Sequence, residues 1–286
     1  MKLIYAIRRG VFYPHQEDVF GKLPPKELRG PFLKKLRTIG FEGIELGMDS
    51  FQGSEADWKE LAKELADAGL PCLAIRAGGG FAHPRGAAES ARRLDRAIKA
   101  AAAVGATVVN SALVTPLTDP KGPGAFVGEP LSQGASLLAS EEDFVRTAST
   151  LQEAGEVAAN HGLEISIEVH QRSIADNSWA TLHLLELTGH PSVGANPDLG
   201  NVYWTYDEPE ETCEAAIAAL APKSTYWHCK NLVRVHIPEN KHAIFLQATL
   251  PDGDIDYRFA ISAMLAAGYK GYLALEGTRK GDTLSK

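Results

Sequence analysis

Cysteine is scarce in this chain, and its scarcity is informative. Cys72, Cys213 and Cys229 are the three among 286 residues. An odd number of cysteines, widely spaced and without a CxxC pair, excludes both a disulfide framework and a thiolate zinc site. Cys72 reads instead as a buried strand residue, the usual fate of a free cysteine. Long apolar runs are missing too. No stretch approaches the roughly 18 apolar residues of a membrane span. The opening Met1-Lys2-Leu3-Ile4-Tyr5-Ala6-Ile7 is too short in apolar residues for a signal peptide. A cytoplasmic protein is expected. Positive charge is not in excess. Lys and Arg number 29 against 36 Asp and Glu, a formal charge of −7, which argues against a broad nucleic-acid-binding face. Two phosphate signatures are absent as well. Nothing resembling GxGxxG follows the first strand, Gly78-Gly79-Gly80 comes too late, and there is no P-loop lysine motif.

What is present is an alternation. With 44% hydrophobic and 23% charged residues, the chain has the composition of an ordinary globular protein. Short runs of β-formers predict strands at 3–7, 43–46, 71–76, 106–113, 163–170, 192–198, 224–230 and 272–276. Helical spacing of apolar residues predicts helices at 26–39, 54–68, 86–104, 140–160, 177–188, 208–220 and 255–267. Ser54 is an expected N-cap, and Ser140 opens a capping box shifted to Asp. Gly40, Gly69 and Gly105 are expected to close their helices. Irregular loops are expected at 8–25, 114–139 and 232–253, the last two shaping specificity as exit loops or lids. Eight strands alternating with helices predict a parallel α/β fold, a (β/α)8 TIM barrel forming a single domain over 1–286. Only ten residues follow the last strand, so the eighth helix should be short or absent. A barrel flank left bare in this way suggests a covering partner, hence a homo-oligomer.

Four strand ends carry the chemistry. Glu168, Asp198, His228 and Glu276 each stand at or near the C-terminal end of a predicted strand. In a barrel those ends face one mouth, so the four side chains could converge there. Each alone could be a satisfied polar residue. Together, three carboxylates would repel strongly without a cation. One imidazole and three carboxylates suit one divalent ion, Mn²⁺ first, with Mg²⁺ and Co²⁺ as alternatives, better than a structural zinc cage. His170 lies two residues beyond Glu168 and so points to the same side. It fits an acid or base, a substrate contact, or a plain hydrogen-bonded histidine. Glu45 ends the second strand and fits either a sugar-hydroxyl contact or an ion pair with Arg76. Arg234, past His228, offers a planar fork for a hydroxyl, carboxylate or phosphate.

These residues resemble those of the xylose isomerase-like barrels, the sugar phosphate isomerases and epimerases. The resemblance rests on Gly43-Ile44-Glu45-Leu46, Ile167-Glu168-Val169-His170, Asp198-Leu199-Gly200-Asn201, His228-Cys229-Lys230-Asn231, Gly253-Asp254-Ile255-Asp256-Tyr257 and the run from Gly268 to Glu276. It implies that Glu168, Asp198, His228 and Glu276 bind one divalent metal. It implies that Glu168 and Glu276 also serve as the acid/base pair, and that Arg234 binds substrate. Ketose 3-epimerases usually carry a histidine where Asn201 stands, which puts Asn201 among the expected substrate contacts, and they lack one at His170. Apurinic-site endonucleases of the same superfamily need a histidine-rich three-metal cluster, whereas Asn110, Asn201 and Arg234 stand here. The expected activity is therefore proton abstraction next to a carbonyl of a ketose or keto-sugar, giving isomerisation or epimerisation. The alternative is a lyase that eliminates a β leaving group from an inosose or 3-keto-glycoside, with His170 as acid or base. A sugar-binding barrel without turnover is the alternative of another class.

Overall fold

The computed structural model describes residues 1–7, 23–115, 132–204, 210–237, 239 and 242–276. Eight strands run in one parallel sheet: β1 (Lys2–Ala6), β2 (Gly43–Gly47), β3 (Cys72–Arg76), β4 (Val108–Ala112), β5 (Glu164–Glu168), β6 (Val193–Asn196), β7 (Trp227–Cys229) and, after a hairpin, β10 (Tyr272–Leu275). Their spatial order is β6-β5-β4-β3-β2-β1-β10-β7. The two ends meet where Ala195 bridges Ser224 in parallel. The Ala195 carbonyl accepts from the Thr225 and Tyr226 amides at 3.0 and 3.4 Å. The approach requires Gly194, because a Cβ there would fall 2.4 Å from Thr225 Cγ2. The sheet thus closes into the expected (β/α)8 barrel.

Around it lie α1 (Lys26–Ile39), α2 (Glu55–Asp67), α3 (Pro84–Val104), α4 (Glu141–Asn160), α5 (Ser178–Thr188), the short α6 (Leu199–Tyr203), α7 (Cys213–Leu220) and α8 (Tyr257–Ala266). Local sequence accounts for many of their ends. Ser54 with Asp57, and Ser140 with Asp143, form reciprocal capping boxes at α2 and α4. Each satisfies amide donors that a helix start leaves without carbonyls. Gly40 and Gly105 terminate α1 and α3 in the left-handed region, at φ 113° and 75°, where a side chain would be strained.

Strand alternation separates two cores. Ile165 and Ile167 of β5 face outward and join the helices in the largest apolar cluster. Each such fully buried side chain contributes about 2–3 kcal/mol by leaving water. Inside the barrel, Ile4, Ala6, Ala74, Val108, Tyr226 and Ala274 form a separate small cluster. It fills the barrel, so the site can only be built where the strands end.

Some expectations are corrected. The loop expected at 232–253 is largely an antiparallel hairpin, β8 (Asn231–Ile237) with β9 (His242–Ala248), in which Arg234 pairs with Phe245. Its sequence, Val233-Arg234-Val235-His236-Ile237, already alternates with the period of a strand. Within the expected 208–220 helix, α7 occupies only Cys213–Leu220, with Thr212 as its N-cap. The expected 224–230 strand shrinks to Trp227–Cys229. Most of the 8–25 and 114–139 loops, and the place of an eighth outer helix after β10, lie outside the described residues.

Candidate metal centre

Glu168, Asp198, His228 and Glu276 converge. Each offers one ligand atom, these atoms all lie within 4.8 Å of one another, and all four residues are buried. Period-two alternation turns Glu168 inward beside the outward Ile167. Asp198 caps α6, its Oδ1 accepting from the Asn201 amide at 3.2 Å. His228 stands in β7, and Glu276 follows directly after β10, tied back by its amide to the Cys229 carbonyl at 2.9 Å.

The imidazole is oriented from behind. Its Nε2–H donates to Glu45 Oε2 at 2.7 Å. That carboxylate also accepts from Tyr226 Oη at 2.7 Å and from Arg76 Nη1 at 2.9 Å. Both Glu45 oxygens are therefore engaged and the residue is fully buried. The ion pair with Arg76 forms, and the glutamate that the sequence offered to a sugar hydroxyl instead braces the histidine. A carboxylate behind a histidine fixes its tautomer and raises its basicity. The His228 backbone amide is held too, donating to Asn196 Oδ1 at 2.7 Å.

Three amide side chains hold the carboxylates. Asn110 Nδ2 donates to Glu168 Oε2 at 2.9 Å, and Asn196 Nδ2 donates to Asn110 Oδ1 at 3.1 Å. Asn201 Nδ2 sits between Glu168 Oε1 (3.1 Å), Asp198 Oδ2 (3.0 Å) and the Val169 carbonyl (2.9 Å). Asn201, expected at the substrate, is buried and spends its amide on two of the four acidic and imidazole groups.

Lys230 is the participant that sequence reasoning missed. Its ammonium donates to Asp198 Oδ2 at 2.7 Å and to Glu276 Oε2 at 2.9 Å, and the residue is 6% exposed. The signal was available, since His228 and Lys230 are two apart in His228-Cys229-Lys230-Asn231 and alternation sends them to one side. His170 lies just past β5 and is half-buried. Its Nδ1 is 2.7 Å from the Gln171 carbonyl. A carbonyl only accepts, so Nδ1 carries that proton. Arg234 is placed on the β8–β9 hairpin, its guanidinium 5.8 Å from the Phe245 ring centre and its amide bonded to Asp254 Oδ2 at 2.7 Å.

Charge tests whether an ion fits. His228 Nδ1 is buried with no hydrogen-bond partner. Around it stand Glu168 Oε1 at 3.5 Å, Glu276 Oε2 at 3.7 Å and Asp198 Oδ2 at 3.9 Å. With one proton held on Nε2 against Glu45, the Nδ1 side of the ring is where three acidic oxygens crowd together. That arrangement is repulsive unless a cation lies between them. Burial alone would lower the pKa of His228, but the Glu45, Glu168 and Glu276 carboxylates outweigh it and raise it to about 10. Burial pushes Asp198 up to about 7, with Glu276 and Glu168 adding to it and Lys230 opposing. The cage calls for positive charge, and its oxygen-rich donor set with one nitrogen fits a divalent ion.

The sequence matches the family model described as "Xylose isomerase-like TIM barrel" over residues 33–285. The chain belongs to that family. No curated protein matches its sequence. Among solved structures, it is similar to a xylose isomerase-like TIM barrel protein from Mycobacterium smegmatis in complex with magnesium, at 22% identity and TM-score 0.76, with 99% of this chain and 92% of that one covered. It is similar to an L-ribulose 3-epimerase at 21% identity and TM-score 0.68, covering 98% and 82%. A probable 3-DHS dehydratase from Bacillus anthracis shares 18% identity at TM-score 0.69, covering 100% and 95%. At these identities the likenesses show the fold. Among the described residues, no helix of this family member is long and apolar enough to cross a membrane.

Proposed function

We propose that this xylose isomerase-like barrel is a divalent-metal-dependent sugar isomerase or epimerase. It would act by removing a proton next to the carbonyl of a ketose or keto-sugar. The observation that carries this reading is the buried Nδ1 of His228, without a hydrogen-bond partner, facing the oxygens of Glu168, Asp198 and Glu276. Those four side chains would hold the ion, Mn²⁺ by preference. When bound, the ion supplies Lewis-acid polarisation of the carbonyl. Glu168 and Glu276 reach the cage from different strands. One takes the proton and the other returns it on the opposite face. Glu45 and Asn201 act as positioning residues that hold His228, Glu168 and Asp198, in place of the substrate contacts expected of them. Arg234 and His170 bind the substrate's oxygens. The small-sugar class is supported by the fold shared with an L-ribulose 3-epimerase.

A second reading has its own observation. His170 carries its Nδ1 proton toward the Gln171 carbonyl and stands two residues past Glu168. If a hydroxyl lies β to the acidic carbon, the His170 imidazole would take the α-proton and return it to the departing hydroxyl, so that the substrate forms a C=C bond and loses water. The fold shared with a probable 3-DHS dehydratase supports that lyase.

Incubation of the manganese-loaded protein in D₂O with ketoses, inososes and 3-keto-glycosides separates the two. Deuterium appearing at the carbon next to the carbonyl, with no loss of water or aglycone, is the expected result. Loss of water or aglycone selects the lyase. A protein that purifies without stoichiometric metal, and exchanges nothing with any of them, would be a binding barrel and would overturn both.

A further inference from the structure

We propose that Lys230 is the cage's own cation, and that its fixed charge matches the site to one divalent ion. The lysine is built into the fold. Its stem runs against Gly200, where an added Cβ would fall 2.3 Å from Lys230 Cγ and 2.7 Å from Cε. Its backbone is clamped on both sides by one hydroxyl: the Lys230 amide donates to Tyr257 Oη at 2.9 Å, and that hydroxyl lies 2.8 Å from the Lys230 carbonyl. The ammonium is delivered to Asp198 Oδ2 and Glu276 Oε2, the two oxygens that face His228 Nδ1 at 3.9 and 3.7 Å. Lysine and ion would thus share the same oxygens from different sides.

The charges then close. Glu168, Asp198 and Glu276 contribute three negative charges, and Lys230 returns one. Glu45 is balanced separately by Arg76 at 2.9 Å. What remains is two negative charges, which a single divalent ion neutralises. A trivalent ion, or a second divalent one, would leave net positive charge in a buried site, a costly arrangement. Removing the lysine charge leaves three negative charges and a preference shifted toward higher valence. This inference rests on the proposed metal-binding reading and sharpens it, since it names what selects the ion.

The test uses Lys230→Met, which keeps the length of the stem, and Lys230→Gln, which keeps a hydrogen-bond donor without the charge. Wild type and both variants are titrated calorimetrically with Mn²⁺ and with Tb³⁺, with terbium luminescence as a second readout. Wild type should bind one Mn²⁺ per chain. In both variants the ratio of Tb³⁺ to Mn²⁺ affinity should rise at least tenfold, about 1.4 kcal/mol of altered selectivity. An unchanged ratio in either folded variant overturns the role of Lys230 while leaving the metal reading intact. Wild type that binds no divalent ion overturns the metal reading, and this inference with it.

Discussion

The two halves of the cage are held by different means. Glu168 is gripped by neutral amides, those of Asn110 and Asn201, and His228 by a carboxylate whose own charge is matched by Arg76. Across the cage, Glu276 and Asp198 share an ammonium, that of Lys230. A neutral brace orients a ligand and leaves its charge for the ion. A cationic brace orients and also withdraws charge. The amides thus act on geometry alone and Lys230 on geometry and charge together, and substitutions should pull the two apart.

The largest effect is expected at Glu276, to which the proposed function gives both the holding of the ion and the movement of the proton. Glu276→Gln should cut turnover by about 10²–10⁴-fold, the usual worth of a positioned acid or base. Near-normal deuterium exchange in that variant would remove Glu276 from the chemistry. Next comes the brace on the imidazole. Glu45→Gln should weaken Mn²⁺ binding by about 10–100-fold, the usual cost of losing a group behind a metal-bound histidine. Calorimetry on the variant checks this, and an unchanged affinity would make Glu45 a purely structural ion pair. Metal removal has a pH signature. Asp198 is raised to about 7 and His228 to about 10 without an ion, so binding must expel protons and affinity should rise with pH across neutrality. Binding enthalpies that are the same in buffers of different ionisation enthalpy would contradict it. Smaller still is the neutral brace. Asn110→Ala strips Glu168 of one donor and leaves Asn196 without its acceptor, at a cost of about 1–3 kcal/mol in thermal stability. The affinity ratio of Tb³⁺ to Mn²⁺ should stay as in wild type, because no charge is changed.

The effect that touches function least lies away from the cage. Burial raises Asp176 to about 6, against hydrogen bonds from Ser136 that favour the charged form. An acid whose folded pKa exceeds its unfolded value stabilises the fold below the unfolded pKa. It loses that contribution as pH rises from about 4 to about 6. Asp176→Asn does not titrate, so it should gain on wild type over that window by about 2–3 kcal/mol and hold level above it. Melting temperatures across that range decide it, and a change of opposite sign would refute the assignment.

How legible each part was follows from the range of the forces involved. The caps at Ser54 and Ser140 and the glycine stops at Gly40 and Gly105 depend on three or four neighbouring residues, so local sequence contains them. The four strand-end groups were legible for a related reason, since each strand's end is marked by its own turn residues and the barrel sends all such ends to one mouth. The hairpin of Arg234 is less legible, although Val233, Val235 and Ile237 alternate, because the run falls where a barrel connection is expected. Asn110, Asn196 and Glu45 were harder. Their roles depend on partners 58, 32 and 183 residues away. A residue type at such a separation says nothing of its partner until register is known.

Reading along the chain is enough to find the alternation of strand and helix, turns that stop many of them, and three carboxylates and an imidazole at strand ends. Those are properties of local propensity and of the two-residue repeat of a strand. Which oxygens face His228 Nδ1, that Glu45 stands behind that ring, and that the ammonium of Lys230 enters the same cage come from the folded arrangement. These depend on barrel closure at Ala195 and Ser224, which sets the strands' relative heights and so decides which buried charges meet.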